Sequence, residues 1–214
     1  HLGVEEAHQR LELRHPHPLV QPHLVRNRNR VGALAVMALL LGANLSMFFL
    51  VVQYVQGVLG FGPLMAGVAF LPFSLGIFAT SRVTPALLGR FGPRPMMLVG
   101  TGTLALAYAW LSTIGTGDTY LAAVFGPMAL AGISSALTFM PVTVIVLSGV
   151  EPEHAGSASG LLQTTQQLGG AVGVGVIVSV YAAGALPGQL VPGMAAAFLT
   201  SATFAALALV VTAL

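Results

Sequence analysis

Cysteine is missing from all 214 residues, which removes disulfides, thiolate metal sites and thiol nucleophiles together. Lysine is missing too, and charged residues make up only 7% of the chain, whereas a soluble domain carries about 25%. A water-facing surface cannot be built from so few charges. The cations that exist are unevenly spread. Arg10, Arg14, Arg26, Arg28 and Arg30 crowd the first thirty positions, Arg82, Arg90 and Arg94 follow, and no arginine comes later. Nucleic-acid binding needs a basic face with stacking aromatics, so the formal charge of +2 does not argue for it. Carboxylates are as scarce: past the arm, Asp118, Glu151 and Glu153 are the whole supply.

What is present is apolar. Hydrophobic residues make up 56% and the mean hydropathy is +0.88. A bilayer core about 30 Å thick takes roughly 20 apolar residues per helix, because no water is there to satisfy exposed backbone groups. Turn and charge clusters cut the chain into six such runs, near 31–56, 64–82, 96–115, 120–149, 157–183 and 194–214. The breakers are Gly57–Pro63, Gly115–Asp118 and Gly184–Gly193, all dense in glycine and proline or closed by Asp118. Positively charged short loops stay on the cytoplasmic side. Six spans put all eight arginines on that one side and leave the three opposite loops without any, so span count and charge rule agree. The expected fold is all-α, a polytopic membrane protein with the arm and the C-terminus in the cytoplasm of a cell whose plasma membrane holds the bundle.

Residues 1–30 form the expected cytoplasmic arm. Val4–Arg14 has the pattern of a short surface helix with Glu6 and Arg10 paired at i,i+4, and His15-Pro-His-Pro18 breaks it. His8, His15, His17 and His23 are read as a solvated linker rather than a metal site, and neither metal nor cofactor is expected. The chain begins at His1, so a piece of a longer polypeptide is expected.

Between the second and third spans the sequence reads Leu88-Gly-Arg-Phe-Gly-Pro-Arg-Pro95, and ahead of the fifth it reads Glu151-Pro-Glu-His-Ala-Gly-Ser-Ala-Ser-Gly160 followed by Gln167-Leu-Gly-Gly170. The former segment resembles the short cytoplasmic loop of the major facilitator superfamily; it keeps Arg90, Gly92, Arg94 and Pro95 and lacks the acidic residue of that signature. The latter is similar to the start of the penultimate helix in that family's drug:proton antiporter branch with fourteen spans. Leu24–Arg28, Gln53–Gln56 and Leu64–Pro72 resemble the same branch, so the likeness covers nearly the whole chain. It implies one bundle of a major facilitator fold, the C-terminal half, built as a 3+3 inverted repeat, with residues 31–214 as the bundle.

The resemblance also implies a division of labour. Arg90, Gly92, Arg94 and Pro95 would act as a cytoplasmic gate loop. The cavity would be lined by the first, second, fourth and fifth spans, whose polar or aromatic candidates are Asn44, Phe48, Gln53, Tyr54, Ser74, Thr138, Phe139, Met140, Thr143, Gln163 and Gln167, with Asn44, Gln163 and Gln167 favoured. Any one of these amides and hydroxyls could instead bond a neighbouring helix. Gly156 and Gly160, then Gly169 and Gly173, are spaced at i,i+4 and are expected to let helices approach closely. Pro72, Pro127 and Pro141 are expected inside spans, where they permit bends.

Proton coupling normally needs a carboxylate or histidine inside the membrane, and the six runs contain none. The titrating acid, and about eight further spans, are therefore expected upstream in a missing N-terminal half, leaving this piece inactive alone. The expected function is secondary active efflux of a small molecule, with the lipid bilayer, that missing half, the substrate and protons as partners and no nucleic acid. Enzymatic function is not expected. A serine protease needs a base within reach of its nucleophile, and the sole histidine after the arm, His154, lies beside Ser157 in the same segment, where Ala158 also spoils the Gly-x-Ser-x-Gly elbow. A channel subunit or a non-transporting membrane scaffold is the alternative.

Overall fold

The computed structural model describes residues 28–185 and 190–214. The arm's expected helix and its histidines lie outside the described residues. Long helices account for almost all the rest: α1 Arg28–Gly57, α2 Pro63–Val68, α3 Leu71–Phe91, α4 Pro93–Leu111, α5 Gly126–Leu147, α6 Ala155–Gly184 and α7 Val191–Ala213. A π-helical turn, Leu121–Phe125, leads into α5, and a short 3-10 turn, Pro152–His154, leads into α6. Five stretches are long and apolar enough to cross a membrane: α1, α2 with α3, the π-turn with α5, α6, and α7. The expected third span forms α4, 19 residues long, whose first turn is Pro93-Arg94-Pro95.

Four helices make the interior. α1 packs on α6, α7 and α5, while α4 lies between α5 and α7. α3 rests chiefly on α5, and α6 on α1 and α7, so these two flank the bundle and keep a bare face. In the most apolar stretch of α6 only 17% of residues are buried, against 56% in α1. Close approach at three crossings explains why the interior is possible without large side chains. A Cβ on Gly42 would lie 2.7 Å from Gly173 Cα and 2.8 Å from the Gly169 carbonyl, so α1 and α6 touch backbone to backbone. A Cβ on Gly76 of α3 would lie 2.7 Å from the Ala129 carbonyl, and one on Gly100 of α4 would lie 3.1 Å from the Ser134 carbonyl, both on α5. Small residues are the means by which helices gain dispersion contact where lipid offers no hydrophobic drive. At the far end of α4 the indole of Trp110 covers Gly126, its Cη2 2.7 Å from where a Cβ would stand.

Several expectations need correcting here. Gly156 and Gly160 make no such contact: a Cβ on either meets nothing within 4 Å. They lie on the exposed face at the N-terminal end of α6, roughly two and a half to three and a half turns before Gly169, where the crossing begins. Pro72 and Pro127 do lie inside spans, Pro63–Phe91 and Leu121–Leu147, each just after a backbone irregularity. Pro72 is the clearer case. It sits in the first turn of α3, just after the Ala69–Phe70 break, and Tyr120 Oη donates to the Ala69 carbonyl there at 3.0 Å. Pro127 likewise opens α5, leaving Pro141 and the unforeseen Pro85 inside helices. Finally, α3 does not stop at Arg82. It continues nine residues to Phe91, which leaves Arg82 inside the span and only seven of the eight arginines to serve the charge rule.

Candidate functional site

The arginine-bearing turn is tighter than a loop. Gly92 is the single residue outside both α3 and α4, with φ +79° and ψ 173°, a region open essentially to glycine alone. Its N–H still donates to the Leu88 carbonyl at 2.9 Å. Pro93 follows at the first position of α4, where a missing N–H costs nothing. The chain thus reverses in one residue, leaving exposed Arg90 at the end of α3 and exposed Arg94 in the first turn of α4. The Arg90 guanidinium lies 5.3 Å from the Phe91 ring centroid, within cation–π range.

Around that turn lies a cleft of about 830 Å³, lined by Arg28 and Asn29 of α1, by Gly92, Arg94 and Pro95, and by Leu214 beyond α7. Among the described residues no acidic side chain lines it. Behind it sits a residue that sequence reasoning passed over. Arg30 is only 5% exposed; its Nε donates to the Val146 carbonyl at 2.9 Å and its Nη2 to the Ser148 carbonyl at 3.0 Å. Those are among the last carbonyls of α5, left without intrahelical donors, and a cation there also complements the helix dipole. The one hint in the sequence was an arginine directly before the first apolar run.

The cavity candidates separate into three groups. Asn44, Tyr54 and Thr138 point into the bundle and are buried. Asn44 Nδ2 donates to the Leu40 carbonyl at 3.0 Å, and its Oδ1 lies 3.4 Å from Ser135 Oγ of α5, whose one proton has the nearer Ala131 carbonyl at 2.8 Å. Tyr54 Oη donates to the Gly115 carbonyl at 2.8 Å, tying the end of α1 to the turn after α4. Thr138 Oγ1 donates to the Ser134 carbonyl at 2.9 Å within α5. The polar atoms of all three thus have partners inside the bundle. Phe48, Gln53, Phe139 and Thr143 are half-buried; Phe48 stacks on Phe70 at 5.2 Å and meets Phe73 edge-on at 5.0 Å. Ser74, Met140, Gln163 and Gln167 are exposed, on α3, α5 and α6. None of the eleven lines the arginine cleft. Polar side chains on faces without a neighbour can do two things in a bilayer: line water, or meet another protein.

The family model of the Major Facilitator Superfamily matches residues 3–174. Cephamycin export protein CmcT of Amycolatopsis lactamdurans is 34% identical over 191 residues, covering 87% of this chain and 39% of that protein. Puromycin resistance protein pur8 of Streptomyces alboniger is 32% identical, covering 79% of this chain and 34% of its own length. Multidrug resistance protein Stp of Mycobacterium tuberculosis is 32% identical, covering 81% and 32%. The chain therefore spans 39% or less of each of these relatives.

Proposed function

This chain belongs to the Major Facilitator Superfamily, and from that premise we propose that it is the C-terminal six-helix half of a secondary active transporter exporting drugs or other small molecules. The observation that carries the reading is the bare pair of flanking helices. α3 and α6 leave Ser74, Gln163 and Gln167 uncovered, and uncovered amides against hydrocarbon are expensive. A second bundle enclosing a water-filled cavity would relieve that cost. The relatives named for export and resistance, each far longer than this chain, support the same reading.

In this mechanism the bundle rocks against its missing partner around a midplane cavity, with each face opening in turn. Arg90, Gly92, Arg94 and Pro95 act at the cytoplasmic gate: a single-residue turn transmits the tilt of α3 to α4, and the guanidiniums are available to pair with acids of the other half when that side closes. Coupling to protons falls to the missing half, since α1 to α7 carry no acid, and this half alone would be inactive. The arm and C-terminus face the cytoplasm. Cells expressing the whole polypeptide that carries this chain should extrude a fluorescent drug faster than control cells, and an uncoupler should abolish the difference. Equal extrusion in both cell types would remove the transporter reading in favour of a scaffold; uncoupler-resistant extrusion would remove the proton.

A further inference from the structure

Arg82 lies where a cation is least comfortable. It is nine residues, about 14 Å, from the Phe91 end of α3. Its guanidinium carbon stands 4.6 Å from the Phe78 ring centroid, one turn still farther from the Gly92 turn. The side chain therefore runs along α3 away from the arginine-bearing end. Its depth can be read against α1. Phe73 meets Phe48, and α1 starts at the cleft where α3 ends, so the two run in opposite senses. Five residues on from Phe73, Phe78 is level with about residue 43, the middle of the 30-residue α1. A guanidinium at mid-depth must face protein or a water-filled cavity, because lipid would not tolerate it.

No described acid neutralises it. Among the described residues its N–H groups make no hydrogen bond or ion pair, and Asp118, Glu151 and Glu153 all lie outside the long helices. It also does not stand alone. Ser74, Phe78 and Arg82 are spaced at i, i+4 and i+8, hence share one face of α3, and all three are exposed. Phe78 is 59% exposed, and Leu75 beside it 61%. The stripe presents a hydroxyl, an apolar aromatic surface and a fork of charge-assisted donors in order.

We propose that this stripe is a subsite for organic anions: Arg82 binds a carboxylate or phosphate of the transported molecule, and Phe78 with Leu75 takes its flat apolar body. The inference rests on the transporter reading above and adds a substrate class to it. The test uses the whole polypeptide that carries this chain, purified in detergent, with two dyes sharing a xanthene core, anionic fluorescein and cationic rhodamine 6G, and binding read by fluorescence anisotropy. Wild type should bind fluorescein; Arg82→Gln should weaken that binding about tenfold or more, the loss of a charge-assisted pair, while Arg82→Lys keeps part of it and rhodamine 6G binding stays unchanged. Size-exclusion chromatography checks that each variant remains monodisperse. No fluorescein binding by wild type, an unchanged affinity in Arg82→Gln, or an equal loss for both dyes overturns the subsite; the last would make Arg82 a tie between the two halves. Dye extrusion from cells, run in parallel, separates the premises. Charge-selective binding without extrusion leaves the subsite standing and sinks the transporter, whereas extrusion of fluorescein indifferent to Arg82→Gln does the reverse.

Discussion

One methyl group tests the crossing of α1 and α6. Gly42→Ala would push a Cβ against Gly173 Cα and the Gly169 carbonyl, backbone atoms with no rotamer to escape into. The helices must part, at a cost of roughly 1–3 kcal/mol, and the Tm of the detergent-solubilised chain should fall. Gly160→Ala, with nothing within 4 Å, removes an exposed glycine from a helix interior and should leave stability unchanged or raise it by up to about 1 kcal/mol. Equal Tm values for the two variants would refute the close crossing. The contrast also shows what single residues reveal in a sequence. The spacing of Gly156, Gly160, Gly169 and Gly173 is legible, but spacing defines a face and not the point along it where another helix crosses. Asn44 is opaque for a related reason: it stands in an apolar run, and no pattern tells an amide that bonds its own helix from one that lines a cavity.

Helices raise a different question, that of what ends them. α5 ends on carbonyls held by Arg30, so Arg30→Met should expose or orphan the Val146 and Ser148 carbonyls and lower stability by roughly 1–3 kcal/mol, with Arg30→Lys retaining part of the bond to one carbonyl. Hydrogen exchange at residues 142–148 should rise in Arg30→Met; unchanged protection would mean that the guanidinium caps nothing. In sequence Arg30 has the pattern of the last charge of an arm, because the partners that define its role are more than a hundred residues away. The end of α3 was misjudged by the same logic. Arg82 and Pro85 have the character of stops, yet proline removes only one donor and the guanidinium can lie on Phe78, so the helix runs on. The π-helical turn Leu121–Phe125 has no sequence mark beyond the Gly126-Pro127 that follows it.

At the scale of the molecule, long uncharged runs made the all-α character readable, since a run of some twenty apolar residues satisfies its own backbone in hydrocarbon only as a helix. Their arrangement was not readable. Which pairs touch is decided by where Gly42, Gly76 and Gly100 find a partner backbone, a matter of long-range fit. Orientation is a prediction from arginine placement, and because these 214 residues hold no cysteine, labelling can be tested on a polypeptide whose remaining part is first cleared of cysteine. Arg94→Cys should be shielded from a membrane-impermeant maleimide in intact cells, and Thr116→Cys should react; the opposite pattern would invert the topology. The lone tryptophan offers a different kind of access. Trp110 is seated on Gly126 where α4 meets the start of α5, and these 214 residues hold no other indole to blur its signal. The protein thus carries a native optical gauge at one joint: a shift in its emission on adding a ligand would report that joint unseating, without any label.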